Sequence, residues 1–157
     1  MALTRFHKDH IFTNLEKDGL VETSPPTLKN REYNCVAFAA DEMHRVWWPG
    51  NAETYWPIAD EEETLENFEK AFATLGYKPC NRGTLEAGFE KIAFYANEDG
   101  PTHAAKQLPD GRWKSKLGDD LDDVEHNTLR GVECRLYGKS VRFMKRKIKY
   151  EKAALSD

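Results

Sequence analysis

The sequence predicts an α+β domain. Helical periodicities occupy residues 35–47 and 60–75, and strand-like alternation takes over from residue 88 to residue 150. Between two of the strand patterns, Pro109-Asp110-Gly111 has the order of a type I turn closed by a left-handed glycine, which makes them a hairpin. At 157 residues the chain suits one domain, able to bury about two-thirds of its unfolded surface.

Residues 1–32 read as a peripheral N-terminal segment. Phe6, Ile11, Phe12, Leu15 and Leu20 suit one short amphipathic helix ending near Gly19, and Thr23-Ser24-Pro25-Pro26 breaks regular structure. The domain proper then spans 33–150, with 151–157 as a C-terminal tail. Its first helix is expected to start at Cys35 behind Asn34, a good N-cap, and to run to Val46 or Trp47. Val36, Ala39, Ala40, Met43 and Trp47 form its apolar stripe, with Cys35 on the stripe's edge and Phe38 among polar positions. A thiol at a helix start faces unpaired N–H groups and the positive end of the dipole, which lowers its pKa. The bland alternative is an inert buried cysteine beneath an ordinary cap.

Trp47-Trp48-Pro49-Gly50 and Tyr55-Trp56-Pro57 suggest an ordered loop packed by its own rings, or a wall for substrate. Asp60 with Glu63 resembles a capping box for the next helix, whose stripe is Leu65, Phe68, Phe72 and Leu75 and whose stop is Gly76. Strands follow around Ile92-Phe94-Ala96, over 103–108 and over 112–117. The acidic run 119–123 reads as a solvated loop. Leu129, Val132 and Leu136 mark a short helix stopped by Gly138, and His126 falls near its start. Val141–Tyr150 reads as a basic edge strand.

A net charge of −4 gives no general reason to bind nucleic acid or membrane. No apolar run is long enough to span a bilayer, and residues 1–10 lack the apolar centre of a secretion signal. Three scattered cysteines, 35, 80 and 134, form no CxxC pair, which argues against a disulfide framework or a structural zinc. Reduced thiols and a cytoplasmic location are the expectation, with no metal and no cofactor.

Chemistry at Cys35 needs a base, and of the five histidines His103 is the one that opens a strand behind a turn. His103, Ala105 and Gln107 share one face of that strand. If the turn closes with Leu108 opposite Arg112, Gln107 faces Trp113 and Ser115 becomes diagonal to His103, within side-chain reach. Gln107 lies too far along the strand to touch the ring, so Ser115 is the expected orienter. Thiolate attack on a carbonyl, protonation of the leaving group by imidazolium and N–H groups for the oxyanion complete the scheme.

A cysteine-led helix followed by an antiparallel sheet with histidine at a strand start resembles the papain-like cysteine hydrolases, including bacterial cell-wall amidases and endopeptidases. Asn34-Cys35-x-x-Phe38 also resembles the nucleophile motif of lecithin:retinol acyltransferase relatives, whose histidine precedes the cysteine. The full set is similar to an uncharacterised bacterial family over about residues 33–147. That set comprises Tyr33-Asn34-Cys35-x-Ala37, Trp47-Trp48-Pro49, Gly88-Phe89-Glu90-Lys91-Ile92-Ala93, His103-Ala104-Ala105-x-Gln107 and Trp113-x-Ser115-Lys116-Leu117-Gly118.

The resemblance implies a papain-like fold with the nucleophile helix packed on an antiparallel sheet, Cys35 as nucleophile, His103 as general base and Ser115 in the third polar position. Serine there departs from the pattern, because it orients imidazole without supplying charge. The expected activity is hydrolysis or transfer at an amide, thioester or ester bond through a covalent cysteine intermediate. Peptidase, amidase, deamidase and acyltransferase share that chemistry, and the expected partner is a peptide or protein substrate. Asn34, Phe38, Trp56 and Gln107 are the candidate substrate contacts. The rival from another class is a non-catalytic interaction or immunity-type module that keeps the fold.

Overall fold

A computed structural model describes residues 1–23, 32–118 and 120–148. The expected break at Ser24-Pro25-Pro26, the last residues of the basic strand and the tail 151–157 lie outside them. Among the described residues the strands form one seven-stranded antiparallel sheet. In chain order these are β1 (Val21–Glu22), β2 (Lys78–Cys80), β3 (Phe89–Asn97), β4 (Gly100–Gln107), β5 (Trp113–Lys116), β6 (Asp123–His126) and β7 (Lys139–Lys147). Across the sheet the order is β1-β6-β5-β4-β3-β7-β2. The α+β class is therefore as the sequence predicts, with few helices.

Two helices pack on one face, and both are shorter than their periodicity suggests. The first, α1 (Cys35–Ala39), has the expected cap, with Asn34 Oδ1 accepting from Ala37 N–H at 3.1 Å. It ends eight residues before Trp47 because Asp41 adopts φ 63°, the left-handed position of a helix stop. Glu42 N–H then donates to Ala37 O and Asp41 N–H to Phe38 O, which closes the last carbonyls as a Schellman motif does. Aspartate replaces the usual glycine because ion pairs to Lys106 and Arg146 hold it there. The expected stripe is cut, and Met43 is exposed.

The second helix, α2 (Leu65–Ala73), is capped by Thr64, whose hydroxyl accepts from Asn67 N–H at 3.1 Å. The Asp60/Glu63 box expected from sequence lies in the preceding turn. Gly76, at φ 93°, follows the helix as expected.

The sheet separates two cores, as strand alternation requires. Ile92, Phe94, Ala104 and Met144 face α1, α2 and Trp47. Ala93, Tyr95, Ala105, Trp113, Leu117 and Val124 face the other way, against Phe12, Leu15, Val132 and Tyr137. Phe12 and Leu15 lie between a π-helical turn (His7–Ile11) and a 3₁₀ turn (Glu16–Asp18), which replace the single expected helix. The last expected helix is a 3₁₀ turn over Leu129–Val132, and His126 ends β6 rather than opening that helix.

The β4–β5 hairpin has the anticipated register, with Gln107 opposite Trp113 and Lys106 opposite Lys114. Gly111, at φ 92°, supplies the left-handed turn position. Beyond those pairs β4 and β5 separate, and α1 packs against both. That placement brings the Cys35 end of α1 to the N-terminal half of β4.

Candidate functional site

Cys35 lines a cleft of about 300 Å³ with Asn34, Val46, Trp48, Asn51, Thr54, Thr102, Gly118 and Tyr137. Its thiol points at the carbonyl of Thr102, the residue before His103, with Sγ–O 3.9 Å. Although the residue is only partly buried, its sulfur is enclosed, and burial pushes the thiol up to about 11. The N–H of Ala104, the positive charge of Lys116 and the N–H groups of Val36 and Cys35 oppose that rise without reversing it. The lowered thiol pKa expected from a helix start is thus overturned. Five helical residues carry little dipole, and desolvation of a thiolate outweighs it.

Lys116 is fully buried, and its ammonium donates to the Gly118 carbonyl at 2.7 Å. Its positive charge acts on the thiol. Its alternation with Ser115 and Leu117 was legible, but its burial was not.

Asn34 is engaged in holding the local chain together. Beyond capping α1, its Oδ1 accepts from Trp47 N–H at 3.1 Å and its Nδ2 donates to Trp47 O at 2.8 Å. The aromatic loop consequently folds back, with Trp48 N–H donating to Tyr55 O and Tyr55 N–H to Val46 O. Trp48 lines the thiol cleft. Trp56 packs instead on Phe68 at 5.1 Å between ring centroids and donates from Nε1 to Asp60 O. Phe38 is buried against Tyr33 under the Lys114 ammonium. Gln107 lines a different cavity, of about 580 Å³, that also includes Asp41, Lys106 and Lys114. Of the four candidate substrate contacts, Asn34 alone lines the cleft of Cys35.

His103 is fully buried. Its Nε2 lies 3.0 Å from Ser115 Oγ, the diagonal contact that the hairpin register predicts. Ser115 Oγ lies 2.9 Å from His126 Nε2, and His126 Nδ1 lies 2.7 Å from the Thr128 carbonyl. Among the described residues the buried His103 Nδ1 has no hydrogen-bond partner. Tyr137 stacks on the imidazole at 4.2 Å and 11°, and Tyr95 meets it edge-on at 5.2 Å. Burial, and secondarily the neighbouring His126, hold the His103 pKa well below the usual imidazole value; burial likewise lowers His126. Among the described residues no hydrogen bond joins Cys35 Sγ to the imidazole. The structure brings His103 and Ser115 together and sets the thiol against the backbone beside them.

A family model described as a domain of unknown function, DUF7689, matches residues 23–145, more than three-quarters of the chain. The chain belongs to the DUF7689 family. The match covers Asn34, Cys35, His103, Ser115 and His126, so every group of the cleft and of the buried polar chain lies inside the DUF7689 domain. No curated protein and no solved structure matches the chain. Among the described residues no cluster of three or more His, Cys, Asp or Glu side chains could hold a metal, and no helix is long and apolar enough to cross a membrane.

Proposed function

We propose that this DUF7689 chain is a papain-like Cys–His hydrolase or transferase that acts on an amide, thioester or ester bond of a peptide or protein substrate. One observation carries the reading. His103 is held through Nε2 while its Nδ1 is left unpaired, in a ring adjacent in sequence to the carbonyl that the Cys35 thiol touches. An unpaired buried ring nitrogen costs about 1–3 kcal/mol, a cost retained where the nitrogen has a proton to take.

At rest both partners are neutral, since the thiol is raised and the imidazole lowered. The nucleophile forms as substrate enters. Nδ1 of His103 takes the thiol proton while Sγ attacks the acyl carbon, and the carbonyl pair moves onto oxygen. Collapse of that adduct breaks the bond to the amine, thiol or alcohol, which leaves with the proton from the imidazolium. Water or a second nucleophile then attacks the thioester, giving its proton to His103 and releasing Cys35. The step requires sulfur and ring to close on each other; Tyr137 both lines the cleft of Cys35 and stacks on the imidazole.

The test is acylation of the intact protein by short peptide thioesters and p-nitrophenyl esters, read by intact mass. A single acyl adduct is expected that disappears in Cys35→Ala and forms about 10²–10⁴-fold more slowly in His103→Ala. Equal acylation rates in wild type and folded His103→Ala overturn the reading.

The second reading, a non-catalytic interaction module, is favoured by the complete burial of His103 under Tyr137. Under it His103→Ala lowers the melting temperature and leaves thiol chemistry unchanged.

A further inference from the structure

The hydrogen bonds around His103 have a direction, fixed at the end farthest from it. The Thr128 carbonyl can only accept, so His126 Nδ1, 2.7 Å away, carries a proton and donates. His126 is fully buried. A neutral imidazole protonated at Nδ1 presents a bare lone pair at Nε2. Ser115 Oγ, 2.9 Å from that lone pair, has one proton and gives it there. The same oxygen then meets His103 Nε2 at 3.0 Å with lone pairs only, so His103 donates from Nε2. His103 Nδ1 is consequently a bare base.

We propose that His126 is a positioning residue that, through Ser115, fixes the tautomer of His103 and so makes Nδ1 its basic nitrogen. The two histidines hold opposite tautomers, Nδ1–H at 126 and Nε2–H at 103. The positioning role rests on the reading of His103 as a general base; the tautomers stand on the hydrogen bonds together with a neutral His126, which its complete burial favours. A hydroxyl between two imidazoles transmits orientation without charge, which suits a base that must stay neutral until substrate arrives.

The device has a defined failure. A proton added to His126 puts N–H on both of its nitrogens, so Nε2 must donate to Ser115. The Ser115 hydroxyl then turns its proton to His103 Nε2, and the His103 proton is held at Nδ1 instead. The base is blocked by one proton gained elsewhere. The groups facing His126 are the Asp18 carboxylate from the Glu16–Asp18 turn, 4.0 Å from Nδ1, the Arg112 guanidinium from the β4–β5 turn, and His103 through Ser115. Burial opposes that proton, as does Arg112, while the Thr128 carbonyl and Asp18 favour it. Asp18 is itself held by Thr128 N–H and the Thr128 hydroxyl at 2.8 and 2.9 Å.

The experiment is long-range proton–nitrogen NMR of the intact, nitrogen-15-labelled protein near pH 7.5. Expected are an unprotonated Nδ1 with a protonated Nε2 at His103, and the reverse at His126. His103 protonated at Nδ1, or like tautomers at both residues, overturns the proposal. Ser115→Ala and His126→Phe each cut the chain, and a population of Nδ1–H at His103 should appear in both, with His126 unchanged in Ser115→Ala. If the His103 tautomer is unaltered in whichever variant folds, the proposal fails. Because the wild-type spectrum requires no turnover, a chain that acylates nothing would refute the hydrolase reading while the tautomers are still decided.

Discussion

The rings of His103 and Tyr137 lie face to face, 4.2 Å apart and 11° from parallel, and Tyr137 is the one that lines the cleft of Cys35. Hydrogen bonds also hold it in place: its hydroxyl accepts from Gly118 N–H at 3.1 Å, its carbonyl from the Thr102 hydroxyl at 2.5 Å, and its N–H donates to Cys134 Sγ at 3.4 Å. Tyr137 therefore ties the start of β4, the turn that follows β5 and the buried imidazole into one unit. Its removal should expose the ring to water. In Tyr137→Ala the His103 pKa rises back toward the ordinary imidazole value, and stability drops by about 3–5 kcal/mol, as for other large-to-small core changes. Tyr137→Phe keeps the stack and loses about 1 kcal/mol with the hydroxyl. An NMR titration of both variants checks this, and an unmoved His103 in Tyr137→Ala would show that the ring is shielded by other groups.

Asn34 joins the start of α1 to Trp47 through three hydrogen bonds. An N-cap contributes about 1 kcal/mol and each further bond a similar amount. Asn34→Ala is expected to cost about 2–4 kcal/mol. Asn34→Asp keeps both acceptor contacts and sets a carboxylate against the Trp47 carbonyl, so it should lie between wild type and Ala. Urea unfolding measures all three. Asp proving worse than Ala would mean that the bond to the Trp47 carbonyl dominates the clasp.

What the sequence disclosed was local. Pro109-Asp110-Gly111 leaves a short hairpin few ways to close, so the register follows, and with it the His103–Ser115 contact. The stop of α1 at Asp41 was hidden, because the stretch from Ala40 to Trp47 keeps helical spacing and contains no glycine or proline. Lys106 and Arg146, far along the chain, make a left-handed aspartate tolerable there. His126 was hidden in the same way. It follows an acidic run that reads as a loop, and only the pairing of β6 with β5, Trp113 opposite His126, brings it diagonal to Ser115. Trp48 and Trp56 are indistinguishable by type, and the fold-back of their loop decides which of them meets the cleft.

The thiol offers a direct test of which force governs it. With Cys35 pushed up to about 11 by burial, little thiolate exists near neutrality. Alkylation of Cys35 by iodoacetamide in the folded protein should be slow at pH 7.5 and rise about tenfold per pH unit through the alkaline range. Peptide mapping by mass spectrometry follows the site. A rate independent of pH from 7 to 9 would mean that a thiolate is already present, held by Lys116 and the N–H of Ala104 against desolvation.

Burial of two neutral imidazoles also makes stability depend on pH, with a definite sign. Folding depresses the pKa of both His103 and His126 below the ordinary 6.5. Below that value the unfolded chain binds protons that the native protein refuses. Stability is therefore fully present above about pH 6.5 and falls as the pH drops toward the folded values. Each histidine contributes a slope of up to about 1.4 kcal/mol per pH unit. Most carboxylates titrate lower, so the interval between about pH 6.5 and 5 reports chiefly on the imidazoles. Urea unfolding across that interval should give free energies that fall steadily toward acid, with a shallower slope in His126→Phe, which has one buried imidazole fewer. A flat profile from pH 7 to 5 would mean that both rings accept protons in the folded state as readily as in water. That outcome would be incompatible with a buried, neutral His103–Ser115–His126 chain.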